Sequence, residues 1–137
     1  MMDPNNKNLL EFAMFGEVIH SYTRAQAIAD GVLIDATVGE LAEVTQQHFQ
    51  VPIAMTAAVH ALIQEACDDP AHFNDRLGVW HDILWMARVA IQRRETHSPG
   101  LLFPVIITPH GEIKLKMHSG PGDEGEHVLT LMLPHED

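Results

Sequence analysis

The sequence predicts an α+β fold: about four N-terminal helices, the longest over about 75–93, packed on a C-terminal three-stranded antiparallel meander, with a short run at 32–35 placed to extend that sheet. Three observations carry this. Helix-capping patterns recur before residue 75, a wide apolar stripe runs from Val79 to Ile91, and after Ser98-Pro99-Gly100 the composition changes to short apolar runs separated by turns.

The first helix is punctuated at both ends. Thr23 is a preferred N-cap, Gln26 completes a capping box with it, and Gly31 stands where a left-handed residue ends a helix, so Arg24 to Asp30 should form two turns. Val32, Leu33 and Ile34 then make an apolar run bounded by Gly31 and Asp35, suited to a strand or an extended core segment. So short a helix does not persist alone in water, and tertiary packing must hold it. Thr37 and Glu40 repeat the capping-box pattern, which predicts a helix over Val38 to about Gln47, interrupted at Val51-Pro52. Thr56 caps a third helix, whose Val59, Leu62, Ile63 and Ala66 share a face and which ends at Asp68-Asp69-Pro70.

The longest helix begins at Asn74 or Asp75 and closes on Arg93 and Arg94, cations suited to a helix C-terminus. Val79, Trp80, Ile83, Leu84, Met86, Ala87, Ala90 and Ile91 cover most of its circumference, which marks it as the central helix. The remaining sector gathers His81, Trp85, Arg88 and Gln92, with Asp82 on its edge and Gly78 beside Trp85. Beyond it, 101–108, 112–118 and 127–133 read as strands, since Pro109-His110-Gly111 and Gly120 to Gly125 are turn signals. Ile113, Leu115 and Met117 alternate with Lys114, Lys116 and His118, so one face is buried and the other wet.

Length and composition bound the function. A chain of 137 residues fits one domain, with a core over about 16–133 and tails at 1–8 and 134–137 expected to be mobile. Cys67 is the only cysteine, so an intramolecular disulfide is excluded. No basic leader precedes a long apolar run and none approaches 18 apolar residues, which favours a cytoplasmic protein that neither leaves the cell nor spans a membrane.

The formal net charge is -11, from 8 basic and 19 acidic side chains. Residues 1–75 hold eleven of the acids against Lys7 and Arg24 alone. Direct nucleic-acid binding, which rests on clustered Lys and Arg releasing counterions, is disfavoured, and a protein partner with a basic surface is the better electrostatic match. Solubility alone accounts for such acidity. The sharper alternative is imitation of a nucleic-acid backbone, for which Glu40 and Glu43, and Glu65, Asp68 and Asp69, are the candidate carboxylates.

Two further groups of residues invite a functional reading. His20, Ser21, Thr23 and Arg24 with Asp35 contain a base, a nucleophile and a cation at a helix N-terminus, ingredients that could serve a nucleotide. The structural alternative makes Thr23 a cap and pairs Arg24 with a carboxylate. His81, Trp85 and Arg88 form an exposed anchor for a partner if uncovered, because Trp and Arg dominate binding hot spots; otherwise a neighbouring element covers Trp85, with Gly78 permitting its approach. Ten histidines are scattered without HExxH, paired-cysteine or other metal spacing, and whether His110, His118 and His127 converge cannot be read from their positions. No glycine-rich phosphate loop, GxSxG elbow or activated cysteine is present, so no catalytic residue, metal or cofactor is assigned.

The run IHSYTRAQAIADGVLID, followed by VPIAMTAAVHALI and WHDILWMARVAI, resembles a small uncharacterised domain family encoded on bacterial plasmids, phages and integrative elements, over about residues 16–133. The resemblance implies a bacterial mobile-element setting and brings no catalytic residues with it. Two functions remain open: a non-enzymatic acidic interaction protein, in its sharper form an inhibitor of a host nucleic-acid-binding defence complex of anti-CRISPR or anti-restriction type, or a small nucleotide-binding or transferase-like enzyme using His20, Thr23 and Arg24. A homodimer is compatible with either.

Overall fold

A computed structural model describes residues 22–72, 74–95 and 98–136. Helix α1 spans Arg24–Ala29, strand β1 Leu33–Asp35, helix α2 Ala42–His48, strand β2 Ile53–Thr56, helix α3 Ala57–Asp68 and helix α4 Arg76–Arg93. Strands β3 (Gly100–Ile107), β4 (Gly111–Pro121) and β5 (His127–Met132) follow.

The fold is α+β, with four α-helices among the described residues, but the sheet is larger than a meander. Five strands are ordered β1-β2-β5-β4-β3. Strands β3, β4 and β5 form the expected antiparallel meander, and β1 extends the sheet by pairing antiparallel with β2. Strand β2 itself, absent from the sequence reading, lies parallel to β5 with Ala54 opposite Thr130, which makes the sheet mixed. Ile53, Ala54, Met55 and Thr56 are all buried. The run is short, contains the weak strand formers Ala and Met, and passes directly into α3, so only its two neighbours define it.

Local chemistry explains α1. Thr23 Oγ1 accepts from the Gln26 N–H at 3.0 Å while the Thr23 N–H donates to Gln26 Oε1 at 2.8 Å, and Gly31 takes φ +79°. The second capping box does not form. Thr37 Oγ1 instead accepts from the Ile53 N–H at 2.9 Å and lies 3.2 Å from the Ile53 carbonyl, and the chain passes through a 3₁₀ turn at Gly39–Leu41 before α2 begins. Contacts to a distant strand outcompete the local cap.

Val59, Ile63 and Ala66 of α3 and Val79, Trp80, Ile83, Leu84 and Ala87 of α4 pack on one sheet face, against Phe103, Val105, Leu115, Met117, Leu129 and Leu131. Asp75 caps α4 by accepting from the Gly78 N–H at 2.7 Å. Inside this layer Trp80 Nε1 donates to Thr45 Oγ1 at 2.9 Å, and that hydroxyl lies 2.8 Å from the Ala36 carbonyl. On the other face, Glu136 of the C-terminal stretch accepts from Thr56 Oγ1 at 2.8 Å and from the Leu133 N–H at 2.7 Å.

Candidate functional site

Among the described residues, strand β3 is a sheet edge. The Ser119 N–H donates to the Pro99 carbonyl at 2.8 Å, and the register sets Leu101 opposite Met117, Phe103 opposite Leu115 and Val105 opposite Ile113. Because hydrogen-bonded pairs alternate with non-bonded ones in an antiparallel ladder, the odd residues bond β4 and the backbone groups of Leu102, Pro104 and Ile106 point away from the sheet. Pro104, lacking an N–H, therefore sits where the β3–β4 ladder needs none. No charged side chain occurs between Gly100 and Ile107, and Leu102 and Ile106 are 55% and 70% exposed.

Alongside this edge runs α4. Trp85 is 50% exposed, so among the described residues no element covers it fully, and a Cβ at Gly78 would meet first the Asp75 carboxylate, at 3.3 Å. Trp85 and Met86 of α4 face Pro104, Val105 and Ile106 across a groove of about 250 Å³, with the carboxylates of Asp82 and Glu112 also on its lining. The Arg88 guanidinium lies 5.7 Å from the Trp85 ring centroid, close enough for a cation–π contact, and its Nη1 is 3.3 Å from His48 Nδ1. His81 stacks edge-on against His48 at 4.8 Å and approaches Asp82 at 3.7 Å. The structure thus brings His81, Trp85 and Arg88 together. The sequence reading missed Met86, Pro104 and Ile106, for which an uncharged strand containing one proline was the available signal.

His48 is the titratable hinge of this cluster. Partial burial, then His81, then Arg88 pull its pKa below the usual 6.5, and its Nε2 is buried without a hydrogen-bond partner among the described residues. The folded state therefore binds fewer protons than the unfolded chain just below pH 6.5, so His48 makes stability fall as pH drops from about 6.5 toward the lowered folded pKa. Thermal melts between pH 7 and pH 5 should show a shallower acid-side decline for His48→Phe than for the wild type. Equal slopes would mean that His48 protonates freely in the fold.

Of the ligand group in the sequence reading, Thr23, Arg24 and Asp35 make structural contacts. His20 and Ser21 lie outside the described residues. Thr23 is occupied as a cap. Arg24 donates from Nη1 to Thr130 Oγ1 and from Nη2 to the Leu129 carbonyl, both at 2.8 Å, and burial lowers its pKa against the pull of Asp35, Asp123 and Glu126. The free N–H groups of Arg24 and Ala25 at the start of α1 already bind the Asp123 carboxylate at 2.8 and 3.0 Å. Asp35 accepts from the Thr37 N–H at 2.8 Å and lines a cleft of about 360 Å³ with Glu40, His60 and Arg76, to which neither Thr23 nor Arg24 contributes.

The acidic candidates do not align as a ladder. Glu40 pairs with Arg76 Nε at 3.1 Å and Glu65 with His110 Nε2 at 3.5 Å. Glu43, Asp68 and Asp69 are exposed, Asp69 accepting from the Ala71 N–H at 2.9 Å. His118 stands opposite Thr130 and His127 opposite Pro121, positions of opposite parity on adjacent strands, so the two rings lie on different sheet faces. Among the described residues no three His, Cys, Asp or Glu side chains group to hold a metal ion, and no helix is long and apolar enough to cross a membrane.

A family model matches residues 9–137. The chain belongs to DUF6573, a family of unknown function. The match reaches further toward both ends than the 16–133 of the resemblance. No curated protein and no solved structure matches this DUF6573 chain.

Proposed function

We propose that this DUF6573 protein is a non-enzymatic interaction module that receives an extended, basic segment of a partner protein along the outer edge of β3 and seats an apolar side chain of that segment against Trp85. The observation that carries the reading is the uncharged strand β3, at the edge of the sheet among the described residues, beside a half-exposed tryptophan. An exposed apolar edge strand offers unpaired backbone groups to an incoming strand, and Trp85 backed by Arg88 supplies the aromatic anchor typical of a hot spot. Asp82 and Glu112, with the formal net charge of -11, favour a cationic partner over a second copy of this chain. A narrower form, suggested by the resemblance to mobile-element proteins, makes that partner the basic surface of a host nucleic-acid-binding defence complex.

Pulldown from bacterial lysate with the wild type, Trp85→Ala and Ile106→Lys tests this. Both substitutions fall on exposed side chains and should leave the fold intact, which circular dichroism checks. The expected result is a partner that crosslinks to β3 through a Lys- or Arg-rich segment and is reduced at least tenfold in both variants, about 1.4 kcal/mol or more per substitution. Capture undiminished by either variant overturns the reading, as does recovery of no partner. A wild-type dimer in light scattering that Ile106→Lys dissociates would assign the edge to a second copy instead.

A further inference from the structure

The groove beside β3 is tied to α2 through one imidazole ring. A guanidinium carries hydrogen-bond donors and no acceptor, so the 3.3 Å contact between Arg88 Nη1 and His48 Nδ1 requires Nδ1 to be unprotonated. His48 is therefore neutral in this arrangement, with its proton on the buried Nε2. The same ring meets His81 at 4.8 Å and Trp85 at 6.4 Å between centroids, both edge-on. Arg88 in turn lies 5.7 Å from the centre of the Trp85 ring. One side chain of α2 thus stands against His81, Trp85 and Arg88 together.

A second proton on His48 breaks this arrangement. Nδ1 becomes a donor facing a donor, and the ring becomes a cation beside the Arg88 cation. Among the described residues, the groups of α4 that act on His48 are His81 and Arg88, and both add to its burial in opposing the charged form. Asp82 lies beside His81 at 3.7 Å. In the 3₁₀ turn that packs on α2, Glu40 is engaged by Arg76, and on α2 itself Glu43 is exposed. When His48 is protonated, Arg88 has to leave Nδ1 and with it the position that backs the Trp85 ring. The new positive charge also stands beside a groove that receives a basic segment under the docking reading.

We propose that His48 is a proton-sensitive latch on the β3 groove: neutral His48 holds Arg88 and Trp85 in the docking arrangement, and its protonation dismantles that arrangement and weakens capture of a cationic segment. The consequence for capture rests on the docking reading of this groove, whereas the latch itself belongs to the isolated chain. Linkage makes the effect reciprocal, so a bound segment lowers the proton affinity of His48.

Nuclear magnetic resonance of the isolated full chain from pH 7.5 to pH 5 tests the latch, reading the His48 imidazole, the Arg88 guanidinium carbon and the Trp85 indole N–H, which Trp85→Phe assigns. One common midpoint is expected for all three, below the usual histidine value. In His48→Gln, whose amide oxygen accepts from Arg88 without titrating, the Arg88 and Trp85 responses should disappear; in His81→Gln they should persist. A capped peptide of alternating lysine and valine, whose charge is constant over this range, then probes docking. Its affinity should fall at least about fivefold from pH 7.5 to pH 5 for the wild type and less than about twofold for His48→Gln. Saturating peptide should move the wild-type His48 midpoint further down. Arg88 and Trp85 signals that do not follow His48, or that titrate equally in His48→Gln, overturn the latch, as does a peptide affinity that falls as steeply in His48→Gln as in the wild type. A peptide that binds at neither pH overturns the docking reading, and the shift titration then decides the latch alone.

Discussion

Trp80→Ala is expected to remove about 3–5 kcal/mol of unfolding free energy, the range for truncating a buried large aromatic side chain. Trp80 is fully buried, and it fills the layer between α2, α4 and the sheet while donating to Thr45 Oγ1. Its removal leaves a cavity and deprives a buried hydroxyl of one partner. A domain of this size holds about 5–15 kcal/mol in total, so the loss is a large share of the stability. Thr45→Val isolates the polar part: it keeps the volume, strands the Trp80 indole N–H and should cost about 1–3 kcal/mol. Urea denaturation followed by far-ultraviolet circular dichroism measures both. A Trp80→Ala loss under about 1 kcal/mol would mean that the α4 layer is not the core of this fold.

The two tryptophans of α4 mark where sequence reasoning stops. Helical periodicity placed Trp80 in the apolar stripe and Trp85 in the polar sector, and both positions hold in the structure. Periodicity gives the direction of a side chain, not what lies in that direction, so the half-exposure of Trp85 had no local signal. The same division runs through the rest of the chain. Helix α1 was legible to within one residue, ending at Ala29 rather than Asp30, because Thr23, Gln26 and Gly31 act within eight positions of one another. The alternation in β4 was legible because one sheet face is buried.

Strand β2 was not legible, since its identity resides in pairing with Leu33–Asp35 on one side and Leu129–Leu131 on the other. Thr37 shows the opposite failure, a correct local pattern overruled by Ile53. Of the candidate sites, the His81, Trp85 and Arg88 group was visible as one helical sector, whereas its other wall, Pro104 and Ile106, arrives through tertiary packing.

The second large effect concerns Arg24, where the structural and ligand readings give opposite results. Its guanidinium holds the Leu129 carbonyl and Thr130 hydroxyl of β5, while its backbone N–H holds Asp123 in the loop before β5. One residue thus fastens α1 to the sheet from two directions. Arg24→Ala should cost about 1.5–3 kcal/mol, the range for hydrogen bonds to a charged group, because two acceptors lose their donor together. Arg24→Lys should recover little, since an ammonium lacks the planar fork that reaches both oxygens at once. Chemical denaturation checks the magnitude, and partner capture measured on the folded variant checks the role. Lost stability with capture retained makes Arg24 a fastener of the scaffold. Unchanged stability with a lost biological activity would return Thr23, Arg24 and Asp35 to the ligand reading and leave the 2.8 Å contacts on β5 without energetic weight.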